Sequence, residues 1–194
     1  MWSESFYPKG TIVGNLQEVK FHREEKQTNQ YGFFHTNVGE VNKFTDVINF
    51  FIKNEKEYPS KKDFVDTLDW YFSHELAHIN DWANNNNLSP EERVQFLYEV
   101  TEAFDAPDSF RDIFGYVAEI KDTDTQMEKY AKVVEYWAVV CEYYLTFSDD
   151  VSFEKEHPTE HKLIKKWLLS KDPNFDVTRS KSDRKKFIHE NQFF

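Results

Sequence analysis

Ser60-Lys-Lys-Asp63-Phe-Val-Asp-Thr-Leu-Asp-Trp70-Tyr-Phe-Ser-His74-Glu75-Leu76-Ala77-His78-Ile-Asn-Asp81-Trp82 is the stretch that decides how the rest of the chain is read. Pro59 ends whatever precedes it, and Ser60 with Asp63 has the form of a capping box, so a helix is expected from Lys61 to about Trp82. The run Asn84 to Asn87 suits the turn that follows. Inside that helix stands H-E-x-x-H. Four residues at 100° each bring His74 and His78 to within about 40° of each other, one turn apart. Both imidazoles can then reach one zinc ion, with Glu75 beside a metal-bound water as general base. Asp81, three residues after His78, lies near the same face and can hold a ligand histidine in the correct tautomer.

Outward from this helix, strands are expected at residues 11–38. Thr11–Val13 and Leu16–Phe21 flank Gly14-Asn15, the form of a two-residue hairpin turn, and Tyr31–Thr36 adds a third strand. Val41, Phe44, Val47, Ile48, Phe51 and Ile52 recur at spacings of three and four and predict a helix. Ser89-Pro90-Glu91 starts another, and helices are expected over 90–104, 108–120 and 124–147. Pro158 opens a last one, reaching about Leu169, and residues 171–194 read as a polar tail. The expectation is one domain over 1–194, of α+β class and predominantly helical, with a small N-terminal β-sheet and a helical core over 41–170.

Composition narrows the function classes. Only 5 of 194 residues are glycine, so a glycine-looped phosphate cradle is not expected. The net charge of −11 argues against sequence-independent nucleic-acid binding. No run of 18 apolar residues is present, so no membrane span is expected. The single Cys141 and the acidic, non-leader-like start at Met1–Gly10 make cytoplasmic residence the default expectation, a secreted mature fragment being the alternative.

A catalytic zinc needs a third protein ligand. No histidine follows His78 at the metzincin spacing, which leaves a glutamate from a later helix: Glu99, Glu102, Glu119, Glu128, Glu135 or Glu142. Glu135 stands alone as an acid within the apolar run Val133-Val-Glu135-Tyr-Trp-Ala-Val-Val-Cys141, where a buried carboxylate needs a partner. Glu142, two turns on and on nearly the same face, competes with it, and Glu102 is the next candidate. His157-Pro158-Thr159-Glu160-His161 spells the inverted motif H-x-x-E-H, but Pro158 makes His157 the residue before a helix, and the two histidines then share no helical face.

Taken together, His74-Glu-Leu-Ala-His78 with Asp81, Glu135-Tyr-Trp-Ala-Val139, the aromatics Tyr143 and Tyr144, and His157-Pro158 resemble the Mlc titration factor A family. Those metallopeptidases group with the catalytic domains of anthrax lethal factor and the proline-specific clostridial endopeptidases. They typically carry H-E-F-x-H-x-x-D and a later E-F-F-A-x, and the likeness spans about residues 69–170. It implies a zincin-like fold of the gluzincin kind. His74, His78 and Glu135 would be zinc ligands, Glu75 the general base, and Asp81 the support of a ligand. The family's tyrosine seven residues before the third ligand, which stabilises the oxyanion, is replaced here by Glu128. By the resemblance, Tyr130, five before, would take that role through a shifted loop, or Tyr116 would, or the group is absent. Loss of such a donor costs roughly 10²–10³ in rate.

The expected activity is zinc-dependent hydrolysis of a peptide or protein substrate, as an endopeptidase or aminopeptidase. The alternatives are a zincin-like protein-binding module with a non-catalytic zinc, and a zinc hydrolase of a non-peptide amide. The strands at 11–38 offer an edge for an extended peptide. Residues 91–154 hold 16 acids and 5 bases. Should part of that charge line the cleft, basic peptides would be favoured.

Overall fold

A computed structural model describes residues 5–9, 16–23, 32–39, 43–52, 58–107, 109, 121–147 and 149–191, with the backbone alone for the strands and for 79–87. The described residues are mostly helical. The helices are α1 (Lys61–Asn87), α2 (Pro90–Asp105), α3 (Gln126–Thr146), α4 (Asp150–Glu156), α5 (Pro158–Leu163) and α6 (Val177–Asn191). None of them is long and apolar enough to cross a membrane. The helix expected over 108–120 and the turn at Gly14-Asn15, with Thr11–Val13, lie outside the described residues.

Ahead of the helices, the backbone pairs as β1 (Leu16–Arg23), β2 (Gly32–Gly39) and β3 (Lys43–Ile52). Their order is β1-β3-β2, with β3 parallel to β1 and antiparallel to β2. Ile48 has Val19 on one side and Phe34 on the other. The helix expected from Val41 onward is therefore a correction over Lys43–Ile52, which is the central strand. Spacings of three and four arise by default in so dense an apolar run. Thr45, Val47, Ile48, Phe50, Phe51 and Ile52 are β-branched or aromatic residues that favour a strand.

Helix starts follow local chemistry. The Asp63 N–H donates to Ser60 Oγ at 3.1 Å and the Ser60 hydroxyl to Asp63 at 2.7 Å. Ser89 and Glu92 form a complete capping box at α2, with Pro90 in the first turn. Thr125 and Glu128 do the same at α3. Each box satisfies N–H groups that the first helical turn leaves without partners. Ser89→Ala should lower stability by about 1 kcal/mol, measurable as a shift of the urea midpoint at unchanged m-value. α1 continues past the expected stop at Trp82 to Asn87, because no residue before Pro90 blocks it.

Phe64, Leu68, Phe72 and Leu76 are buried along one face of α1, and α1 packs against α3. α3 is buried nearly all round from Tyr136 to Glu142, as a central helix must be. α2 covers its other side through Phe96, edge-on to Trp137 at 5.3 Å, and Phe104, edge-on to Tyr136 at 5.3 Å. Each large apolar side chain sealed in this way contributes about 1.5–3 kcal/mol.

Residues 171–194 are not simply a polar tail: α6 buries Val177, Ser180, Arg184 and Ile188 at helical spacing. Its apolar stripe is interrupted by a serine and an arginine, which is why periodicity alone missed it. Arg184 has no solvent exposure and donates to Asp69 of α1 at 2.7 Å. It also donates to Ser180 Oγ at 2.6 Å, the Phe6 carbonyl at 3.2 Å and the Leu145 carbonyl at 2.8 Å. Lys181 donates to the Thr146 carbonyl at 2.6 Å. Two cations thus cap the C-terminal carbonyls of α3, where the helix dipole favours them. Phe6 fills the remaining corner between Phe72 and Phe187.

Candidate metal centre

The site lies where α1 and α3 pack together. Leu76 and Ala77 turn into the core, and this rotation directs His74, Glu75 and His78 toward α3. On α3 the buried neighbours Tyr136 and Trp137 fix the azimuth, and Glu135 faces α1 at its half-exposed rim. His74 Nε2 lies 3.1 Å from Glu135 Oε1, His78 Nε2 lies 3.4 Å from Glu135 Oε2, and the two imidazole Nε2 atoms are 3.0 Å apart. One ligating atom from each of the three residues lies within 4.8 Å of the others, so these side chains could hold a metal ion. On its far edge, His74 Nδ1 sits 2.6 Å from Oε2 of the buried Glu142.

Charge is concentrated here. Burial would lower the His74 pKa, but hydrogen bonds and charge from Glu135 and Glu142 outweigh it and push it up to about 10. Burial likewise opposes ionisation of Glu135, yet His74 and His78 hold its carboxyl well below the usual carboxylate range. Without a metal, a proton on His74 supplies the positive charge that these carboxylates require; a bound cation could replace it. Glu75 is 5% exposed. Its pKa is raised, chiefly by burial, with Glu135 adding to the rise and His78 and His74 opposing it. Its Oε2 has no hydrogen-bond partner among the described residues. A carboxylate this buried and this incompletely bonded is a strong base relative to an exposed one.

The other candidates are placed elsewhere. Glu102 is exposed and accepts from the Tyr98 hydroxyl. Glu99 accepts from Lys166 and from Trp167 Nε1, the latter at 2.9 Å. Glu128 completes the capping box of α3, accepting from the backbone N–H of the N-cap Thr125. Tyr130 is exposed, and five residues along a helix place it about 140° around the axis from Glu135. The helix thus carries the Tyr130 ring away from the Glu135 face. Tyr116, Glu119 and the Asp81 side chain lie outside the described residues.

His157 precedes α5, and its ring packs against Tyr143 and Phe153 at 5.2 and 5.4 Å. His161 instead pairs with Asp150 at 3.0 Å, so the inverted motif brings no ligands together. The residue whose role sequence reasoning missed is Glu142. The sequence makes it one candidate ligand among six; the structure places it against Nδ1 of His74, outside the group formed by His74, His78 and Glu135. The signal was present: a shift of seven residues returns to within about 20° of the same helical face.

Comparison with protein-family models, curated proteins and solved structures finds no match in any of the three.

Proposed function

We propose that this chain is a zinc-dependent peptidase, with His74, His78 and Glu135 as metal ligands and Glu75 as general base. The observation that carries the proposal is the convergence of those three side chains beside a buried carboxylate with an oxygen left unbonded. The donor separations of 3.0–3.4 Å suit zinc. A tetrahedron with bonds of 2.0–2.1 Å has edges of about 3.3 Å. Two histidines and one carboxylate also leave a coordination position open, which a purely structural zinc site would close.

Bound there, zinc would act as a Lewis acid on a carbonyl and lower the pKa of water to about 7. The rest of the chemistry falls to side chains of this chain. Glu75, anchored in the α1 backbone between the two histidines, accepts a proton from the attacking water and returns it to the leaving amine. Glu135 holds both imidazoles from α3. The sequence resemblance to the Mlc titration factor A family supports the same assignment. In it, the three-stranded segment would be the small N-terminal sheet of a zincin-like fold.

A second reading, a protein-binding module with a non-catalytic zinc, is favoured by one observation: Tyr130 emerges on a different face of α3 from Glu135. Metal analysis and cleavage assays separate the two. Purified protein should carry about one zinc per chain, and His74→Ala or His78→Ala should abolish it. A diverse peptide library should be cleaved, with cleavage lost to a chelator and restored by zinc. Stoichiometric zinc without cleavage of any library member would favour the binding module.

A further inference from the structure

We infer that Glu142 is a positioning residue for His74, fixing which ring nitrogen faces the metal and thereby setting the affinity of the centre for a divalent cation. The inference rests on the metal-binding role proposed above and adds to it a residue that neither the H-E-x-x-H motif nor the ligand set contains.

The geometry is specific. Glu142 Oε2 lies 2.6 Å from Nδ1 of His74, and Glu135 Oε1 lies 3.1 Å from Nε2 of the same ring. Both acids belong to α3, seven residues apart, so a single helix grips the imidazole at both nitrogens. Glu142 is 1% exposed and is flanked in sequence by Cys141, while Leu145 follows three residues later, all fully buried. A charge-assisted hydrogen bond in such surroundings is strong and has no water to compete with it. With Nδ1–H donated to Glu142, the proton that a binding cation displaces is the one on Nε2, so the lone pair is freed on the nitrogen that faces Glu135 and His78. Carboxylate support of this kind also makes the ligand nitrogen more basic, and its removal typically weakens metal binding 10- to 100-fold.

The test measures zinc affinity by competition against a chromophoric chelator, for the wild-type chain and for Glu142→Gln. Glutamine keeps the shape and an acceptor oxygen but removes the charge. The expected result is a Kd 10–100 times higher in the variant, together with a fall of a few degrees in the melting temperature of the metal-free protein as the buried charge-assisted bond is lost. An unchanged Kd overturns the inference. A second measurement needs no variant: long-range proton–nitrogen correlation spectra of the zinc-loaded wild type should show His74 protonated at Nδ1 and bound through Nε2. Binding through Nδ1 overturns the inference even if Glu142→Gln does not fold. A wild type that takes no zinc overturns both this inference and the proposed function; a wild type that takes zinc as tightly as Glu142→Gln overturns this inference alone.

Discussion

Glu75→Gln should retain a full complement of zinc and lose peptide cleavage by roughly 10²–10⁴-fold in kcat/KM. The substitution is nearly isosteric and keeps the amphipathic pattern of α1, so the ligand histidines on either side keep their places. What it removes is, among the described residues near the two histidines, the carboxylate not committed elsewhere: Glu135 is engaged with both histidines, and Glu142 with His74. Stability should be little affected. The wild-type carboxylate is buried with an unbonded oxygen, so the native fold gains little from its charge. Metal content by mass spectrometry, beside rates on a cleaved peptide, gives the comparison. A variant that cleaves at the wild-type rate would remove Glu75 from the chemistry.

Arg184→Met should destabilise the fold by about 3–5 kcal/mol, because it leaves Asp69 charged in an interior that no water reaches. Domains of this size are stable by only about 5–15 kcal/mol. The variant should therefore unfold at much lower urea concentrations than the wild type and populate open states at body temperature. The Asp69→Leu/Arg184→Met double variant should be more stable than Arg184→Met alone, since it removes both buried charges. It should not fully recover, since the Phe6 and Leu145 carbonyls also lose their donor. A double variant no more stable than the single would mean that the lost carbonyl bonds, and not the unpaired Asp69, account for the cost.

Much of the architecture could be read from local chemistry, and where reading failed the reason was physical. Ser60, Ser89 and Thr125 announce helices because a cap is a contact within four residues. The segment Lys43–Ile52 was misread because a dense apolar run satisfies both periods, and only pairing with partners on two sides makes it a strand. α6 was hidden because its buried face contains Arg184, whose partners are contributed by residues far away in sequence. In the candidate centre, His74, Glu75, His78 and Glu135 are identifiable from spacing and from the oddity of an acid in an apolar helix. The pairing of Glu142 with His74 depends on how two helices pack, and no spacing within one helix reports that.

The bonds that draw these segments together have a kinetic consequence. His74 and Glu142 are 68 residues apart, Asp69 and Arg184 are 115 apart, and Phe6 and Arg184 are 178 apart. Large loops must close before any of them is made, and such closure slows folding. On a ribosome, α1 would emerge with its two histidines well before the carboxylates that complete the set exist. The bonds of Arg184 are tied only after α6 has been synthesised, 178 residues beyond Phe6. On the proposed metal-binding reading, metal capture would therefore be a late event of biogenesis, following the docking of α3, and not a nucleus around which the chain collapses.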